Sequence, residues 1–414
     1  MPTFSIPLSG LTAMSTALSE IANNLANLNT VGYKDTRVLF RDLFYQSIGS
    51  SGSGNPIQLG AGVAVSSMPS IFTQGNVDPT GVNRDVAIND AGFFIVQRDG
   101  VTTYTRAGNF SVDDTDLLVT AEGQQVLGYP AVNGAITTGQ GLTALSLGTG
   151  TISPPTATSS VQIRTNLDAS AAIGSIEGSY STPITIYDSL GASHSLAFSF
   201  TKTASNTWNY SISIPAADVG GTGNPTVLSS GTLVFDGNGN LMTPAADVAN
   251  IAIQNLADGA NNMSFTWKLY DGTAPVLTQV ASPNGTSSTQ QDGTSSGALS
   301  DFSIGSDGII TGTFSNGKTA ILGQLALATF ANDQGLSRTG KNGFVETLAS
   351  GQAVVGAPGT GGRGTLAGGA LELSNVDIAK EFANMIVMQR GFQANARVVT
   401  TFDEITQDTI NLKR

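Results

Sequence analysis

No cysteine occurs among the 414 residues, which excludes disulfides, thiolate metal centres and a cysteine nucleophile. A protein of this composition working outside the cytoplasm holds its fold without covalent staples. Histidine is almost absent too, and His194 alone remains for zinc ligation or acid–base work. Positive charge is sparse: 18 Lys and Arg face 30 Asp and Glu, a net charge of −12. Nucleic acid is therefore not an expected partner, because phosphates need basic patches. No run of about 18 apolar residues is present, so no membrane insertion is expected. The segment before Lys34 contains neither Lys nor Arg, and serines interrupt its apolar residues. It lacks the charged start of a cleaved secretory signal, so export would take another route.

What the chain does contain is length for several domains, 50 glycines, and two unusual ends. Leu11, Met14, Leu18, Ile21, Leu25 and Leu28 recur at intervals of 3, 4, 3, 4 and 3, a narrow a/d seam along a helix. The other face is Ser, Thr, Ala and Asn, and Glu20 is the only charged side chain before Lys34. A solvated helix carries more charge than that, so neighbours on several sides are expected. At the other end Ser374-x-x-Asp377 has the spacing of a capping box. Ile378, Phe382, Met385, Met388, Phe392, Val399, Phe402 and Ile405 follow it along a predicted helix of about 30 residues or more. Each end alone fits an ordinary docking helix. Two narrow seams at opposite ends, which their own segments cannot bury, predict mutual pairing and packing between repeated copies.

Between the ends the signals are β. Asp99-Gly100 and Glu122-Gly123 mark hairpins in "VAINDAGFFIVQRDGVTTYTRAGNFSVDD" and "LLVTAEGQQVLGYP", and Asn316-Gly317 marks another. Strict alternation in Leu196-Phe198-Phe200, Trp208-Tyr210-Ile212-Ile214 and Phe265-Trp267-Leu269 predicts half-buried strands with an aromatic core. Gly/Ser/Pro-rich joints lie at 49–56, 282–297 and 356–369. If the ends pair, the chain must run out and return, so its domains are nested. The expected division is an inner helical coiled-coil domain (1–33 and 372–414), connecting segments (34–70 and 356–371), an inner β domain (71–130 and 295–355) and an outer β domain (131–294). The fold class is mainly β with paired N- and C-terminal α-helices. Residues 131–300 hold nine acidic and three basic residues, half the net charge, which suits the most solvated layer.

No chemistry-bearing motif survives inspection. Gly293-Thr294-Ser295-Ser296-Gly297 fits G-x-S-x-G but lacks the strand–turn–helix setting of a nucleophile elbow, and the only histidine lies upstream. Gly359-x-Gly361-x-x-Gly364 lies in a linker rather than a βα unit. Asp236-x-Asn238-x-Asn240 starts like a calcium loop, but Leu241 stands where glycine is required, so a hairpin turn is expected. His194 is expected at a turn or strand edge without a metal. Catalytic, metal and cofactor sites are all predicted to be none.

Three stretches carry a family resemblance. "NNLANLNTVGYK" (23–34) resembles the N-terminal signature of the flagellar rod and hook axial proteins, and "LELSNVDIAKEFANMIVMQRGFQANARVV" (371–399) their C-terminal signature. "GFFIVQRDGVTTYTRAGNFSVDDTDLLVTAEGQQVLGYP" (92–130) is similar to the inner β domain of that family. "ITIYDSLGASHSLAFSF", in an extra β region, and "GQLALATFANDQGLSRTGKNGFVETLASG" (323–351) favour the hook branch over the shorter rod proteins. The resemblance implies a non-enzymatic subunit of a hollow helical tube that joins rod to filament and transmits torque. It implies self-association as a homopolymer, with the hook cap, distal rod and hook–filament junction proteins as further partners. It also implies export by the flagellar type III apparatus and an extracellular place in the bacterial flagellum, with no cofactor.

Within that framework, the polymerisation interface is expected at Leu11, Met14, Leu18, Ile21, Leu25, Leu28, Ile378, Phe382, Met385, Phe392, Val399 and Phe402. The helix exit is expected at Gly32, Tyr33 and Lys34: a left-handed glycine, an anchor for the departing chain, and a cation for the negative end of the helix dipole. Both ends are expected to be disordered in a free monomer, because a single seam buries too little to offset the entropy of ordering it. The segment "RDLFYQSIGSSGSGNPIQ" (41–58) is longer than many hook proteins show and closer to the distal rod, which points to extra wall contacts that stiffen the tube. A distal rod subunit is the alternative within the family. A secreted β-rich adhesin is the alternative outside it, and leaves the end helices without a use.

Overall fold

The computed structural model describes residues 4–44, 46–132, 134–139, 141–147 and 152–411. The extreme three residues of the expected helical domain at each end, Tyr45 in the 41–58 segment and residues 148–151 near the start of the expected outer domain lie outside the described residues. The chain is mainly β, with α1 (Ser5–Ala26) at one end and α2 (Ile378–Asn411) at the other. It divides into two compact units: Met1–Gly148, Asp301–Gly312 and Ala320–Arg414 in the first, Thr149–Ser300 and Thr313–Thr319 in the second. Residues 131–147, assigned from sequence to the outer domain, fold with the first unit.

In the first unit α1 and α2 run antiparallel. The Phe4 ring lies 6.0 Å from that of Phe402, Gly10 abuts Asn395, Met14 abuts Gly391, and Asn24 Nδ2 donates to Glu381 Oε2 at 3.3 Å. The many hydroxyls of α1 do not disrupt it, because Thr12, Thr16 and Ser19 each donate to the carbonyl four residues back. Pro7 sits in the first turn, where its missing N–H has no helical partner to lose. The cap of α2 is Asp377 rather than Ser374: its Oδ1 accepts from the N–H groups of Ala379 (2.9 Å) and Lys380 (3.1 Å). Asn375 is committed instead to Ile71 and Thr73, which fixes the approach to the helix.

The β part of this unit is built on Phe93–Arg98, paired with Val101–Thr105 on one side and Gln125–Val132 on the other. Asp99 and Gly100 both have positive φ (51° and 80°), as a two-residue hairpin turn requires. Phe94 and Val96 face one core with Ile88, Leu118 and Leu325, and Phe93 and Ile95 face another with Tyr104 and Phe344. Both faces are covered, which explains an unbroken apolar run here where a one-sided sheet would alternate.

The second unit is built around two five-stranded sheets. One is a meander of Ser179–Tyr187, Ser193–Ala204, Thr207–Ile214, Thr226–Phe235 and Leu241–Thr243. The other centres on Ser160–Asp168, which pairs parallel with Met263–Lys268 and Leu277–Val280. Their facing residues form one core in which Trp208 and Trp267 are fully buried, with Phe198 and Tyr210 edge-on to Trp267. The alternation read from the sequence is the inward face of these strands. Asp236 Oδ1 accepts from the N–H groups of Asn238 and Asn240, closing a hairpin turn. His194 lies one residue into Ser193–Ala204, beside the hairpin turn, but it is 7% exposed with its ring enclosed by carboxylates.

Candidate assembly interface and helix exit

The line of α1 that becomes buried is Pro7, Gly10, Ala13, Ala17, Ile21 and Asn24. It is a stripe of mostly small residues, and these let the backbones of α1 and α2 approach closely. Of the predicted seam only Ile21 belongs to it. Leu11, Met14, Leu18, Leu25 and Leu28 are half-buried. Each of Leu11, Met14, Leu18 and Leu25 follows a stripe residue by one position, so these four flank the stripe about 100° round the helix, from where Met14 still reaches Gly391 of α2. The intervals 10, 13, 17 carry the small stripe, a signal passed over because large apolar residues stood beside it.

On α2, Met385, Val399 and Phe402 are half-buried on the line that also carries Glu381, Met388, Gly391 and Asn395. Ile378 (51%), Phe382 (53%) and Phe392 (37%) are exposed, and so are Ile386, Val387 and Val398, which the spacing did not single out. A single chain thus buries one line of each helix and leaves apolar side chains of α2 exposed on either side of that line.

Gly32, Tyr33 and Lys34 are all buried. The helix itself ends earlier, at Ala26, with Asn27 as its cap. Gly32 does adopt a left-handed φ of 67°, but in the turn beyond the helix. A Cβ there would lie 2.6 Å from the carbonyl carbon of Arg106, so close approach as well as conformation demands glycine. Its N–H donates to the Glu372 carbonyl at 2.7 Å.

Lys34 does not complement the helix end. Its Nζ lies 2.6 Å from Glu372 Oε1, both side chains being 0% exposed, and donates to the Thr73 carbonyl at 2.8 Å. Glu372 also meets Arg106 Nη1 at 3.4 Å and the Gly75 N–H at 2.9 Å. Burial pushes the Lys34 ammonium below its ordinary pKa, against the pull of Glu372. The Tyr33 hydroxyl donates to Asn24 Oδ1 at 3.1 Å, and the Arg338 guanidinium lies 5.1 Å from its ring centre. Asn24 completes the junction, donating to Asp35 Oδ1 (2.6 Å) and the Thr36 carbonyl (2.9 Å) as well as to Glu381. Burial, and then the Glu381 carboxylate, raise Asp35 above the ordinary carboxylate value. Residues far apart in the chain are thereby locked where the N-terminal helix leaves, the C-terminal helix begins and the β part starts.

Buried ion pairs join segments distant in the chain, and apolar side chains of α2 stay exposed, an arrangement of the kind a structural subunit presents. The sequence matches four family models in chain order: "Flagella basal body rod protein" over residues 6–34, "Flagellar hook protein FlgE/F/G D1 domain" over 87–166, "Flagellar basal body protein FlaE D2 domain" over 157–294 and "Flagellar basal body rod FlgEFG protein C-terminal" over 367–412. It is 35% identical over 421 residues to the flagellar hook protein FlgE of Escherichia coli K12, covering 99% of this chain and 100% of that one. It is 36% identical over 426 residues to FlgE of Salmonella typhimurium LT2, covering 99% and 100%. The crystal structure of Helicobacter pylori flagellar hook protein FlgE2 overlaps 71% of this chain and all of its own at a TM-score of 0.45 and 16% identity. The chain belongs to the flagellar hook protein FlgE family, a family of structural subunits of the bacterial flagellum.

Proposed function

We propose that this chain polymerises into a hollow helical tube outside the cell that joins rod to filament and carries torque. The observation that supports this most is the open apolar stripe of α2, with Ile378, Phe382 and Ile386 at four-residue spacing and 51%, 53% and 52% exposed beside a satisfied antiparallel partner. The interface residues on α2 are the exposed members of the predicted seam, Ile378, Phe382 and Phe392, joined by Ile386, Val387 and Val398. Cap, distal rod and junction proteins then meet the same helix faces at the ends of the tube, and the flagellar type III apparatus delivers the subunit. The subunit catalyses no reaction in this reading. Removing residues 4–26 or 378–411 is expected to abolish hooks in electron micrographs of cells; normal hooks from either truncation would refute it.

A stiffening role for 41–58 rests on a specific feature. Gln46–Ser50 and Pro56–Leu59 form a hairpin on which Ile48 and Ile57 are 62% and 46% exposed, with Phe44 at its base 92% exposed. These apolar side chains serve as contacts to neighbouring subunits in the wall. Deleting 49–56 is expected to increase hook curvature, and unchanged curvature would count against the role.

A further inference from the structure

Within the second unit, four side chains from three separate loops and turns converge around the chain's only histidine. His194 Nε2 lies 3.1 Å from Asp188 Oδ2 and 3.8 Å from Asp258 Oδ2, and its Nδ1 lies 3.0 Å from Asp218 Oδ2. Asp188 and His194 belong to the hairpin between Ser179–Tyr187 and Ser193–Ala204. Asp218 lies in the short helical turn Ala216–Val219, and Asp258 in the loop between Val248–Ile253 and Met263–Lys268 of the opposite sheet. The loops are tied together independently, the Ala257 N–H donating to the Asp218 carbonyl at 2.9 Å and the Asn261 N–H to Ser189 Oγ at 3.0 Å.

Asp188 is 0% exposed, and its Oδ1 is fixed by the N–H groups of Leu190 (2.8 Å) and Ala192 (2.9 Å), which leaves Oδ2 aimed at the imidazole. Next to the Asp218 carboxylate, Nδ1 must carry a proton, because only a donor makes that bond. In the neutral ring Nε2 then points a lone pair at two carboxylate oxygens. Among the described residues, no Lys or Arg pairs with any of the three aspartates. Even a protonated ring leaves three carboxylates against one positive charge. The site calls for a cation at Nε2.

We propose that Asp188, His194 and Asp258 bind one divalent transition-metal ion of the zinc class, with Asp218 orienting the imidazole from behind. The three ligand atoms lie within 4.8 Å of one another. Bonds of about 2.0–2.1 Å in a tetrahedral site require ligand atoms about 3.3 Å apart, a spacing bracketed by the 3.1 and 3.8 Å found here. One nitrogen and two carboxylates suit zinc and its neighbours rather than calcium, which takes six to eight oxygens. A carboxylate on the far ring nitrogen is the usual outer support of a metal-bound histidine. Asp258 is 31% exposed and gives the ion its way in. The ion would clip the two sheets together in a chain that has no cysteine to do so.

The test uses the full chain stripped with chelator and titrated with Zn2+. One ion per chain is expected by calorimetry, with a rise in the unfolding midpoint read from tryptophan fluorescence. Because the chain has a single histidine, its one imidazole resonance is expected to shift and to saturate with the same stoichiometry. Asp258→Asn, at a partly exposed position that tolerates it, is expected to weaken binding at least tenfold, and Asp218→Asn about 10–100-fold. Zinc that leaves the imidazole resonance unmoved, or that binds Asp258→Asn as tightly as wild type, would overturn the proposal and leave a protonated histidine as the cation.

Discussion

Replacing Glu372 by Gln tests the junction where the two helices meet the β part. The substitution keeps the size of the side chain, but it turns one of two accepting oxygens into an NH2 donor and leaves Lys34 (0% exposed) and Arg106 (3%) without their shared counter-charge. Removing one partner of a buried pair costs about 3–5 kcal/mol, most of it the penalty for the charge left behind. For a unit of this size each kcal/mol lowers the melting midpoint by about 2–4 °C, so a fall of roughly 6–20 °C is expected. Both tryptophans, Trp208 and Trp267, lie in the second unit. Far-ultraviolet circular dichroism is thus expected to show an early transition while tryptophan fluorescence stays at the wild-type midpoint. Adding Lys34→Met, which withdraws one unpaired cation, is expected to recover part of the loss. A midpoint within about 2 °C of wild type, equivalent to under about 1 kcal/mol, or a double variant worse than the single, would refute the reasoning.

Two further outcomes follow from the exit. Gly32→Ala must place a Cβ 2.6 Å from the Arg106 backbone at a φ of 67°. A loss of about 1–2 kcal/mol from conformation alone is expected in urea titration, with the clash adding to it. Asp35 has a folded pKa above its ordinary value of 3.8, so the folded chain holds its proton more tightly than the unfolded chain. Stability from this group is therefore full below pH 3.8 and lost as pH rises through the raised folded value. Asp35→Asn is expected to be more stable than wild type near neutral pH and to lose that advantage below pH 3.8, as followed by urea titration across pH.

The strands were legible because their residues state their own surroundings. Trp208, Tyr210, Ile212 and Ile214 alternate because only one face of their sheet is covered, and Asp99-Gly100 announces a turn that few other pairs can form. The two end helices were legible for the same reason. The partners across long separations were not. Nothing near Lys34 in the sequence says that its ammonium meets Glu372, since a lysine after a helix fits a dipole equally well. The small stripe of α1 was hidden because Gly10, Ala13 and Ala17 bury by letting backbones approach, which a search for large apolar residues does not detect. The enclosure of His194 was not legible, because two of its three carboxylates, Asp218 and Asp258, are brought near only by folding. Ser374 matched a cap by spacing alone, while Asp377 stands where the orphan N–H groups are.

The central claim is that the outward face of α2 is built for other copies of the chain. The most direct measurement is made on Phe382→Asp with Ile386→Asp, two positions one turn apart that are 53% and 52% exposed in the single chain. Purified monomer of this variant is expected to unfold at the wild-type midpoint, while electron microscopy of cells that make it shows no hooks. Hooks of normal length and shape from the double variant would contradict the account.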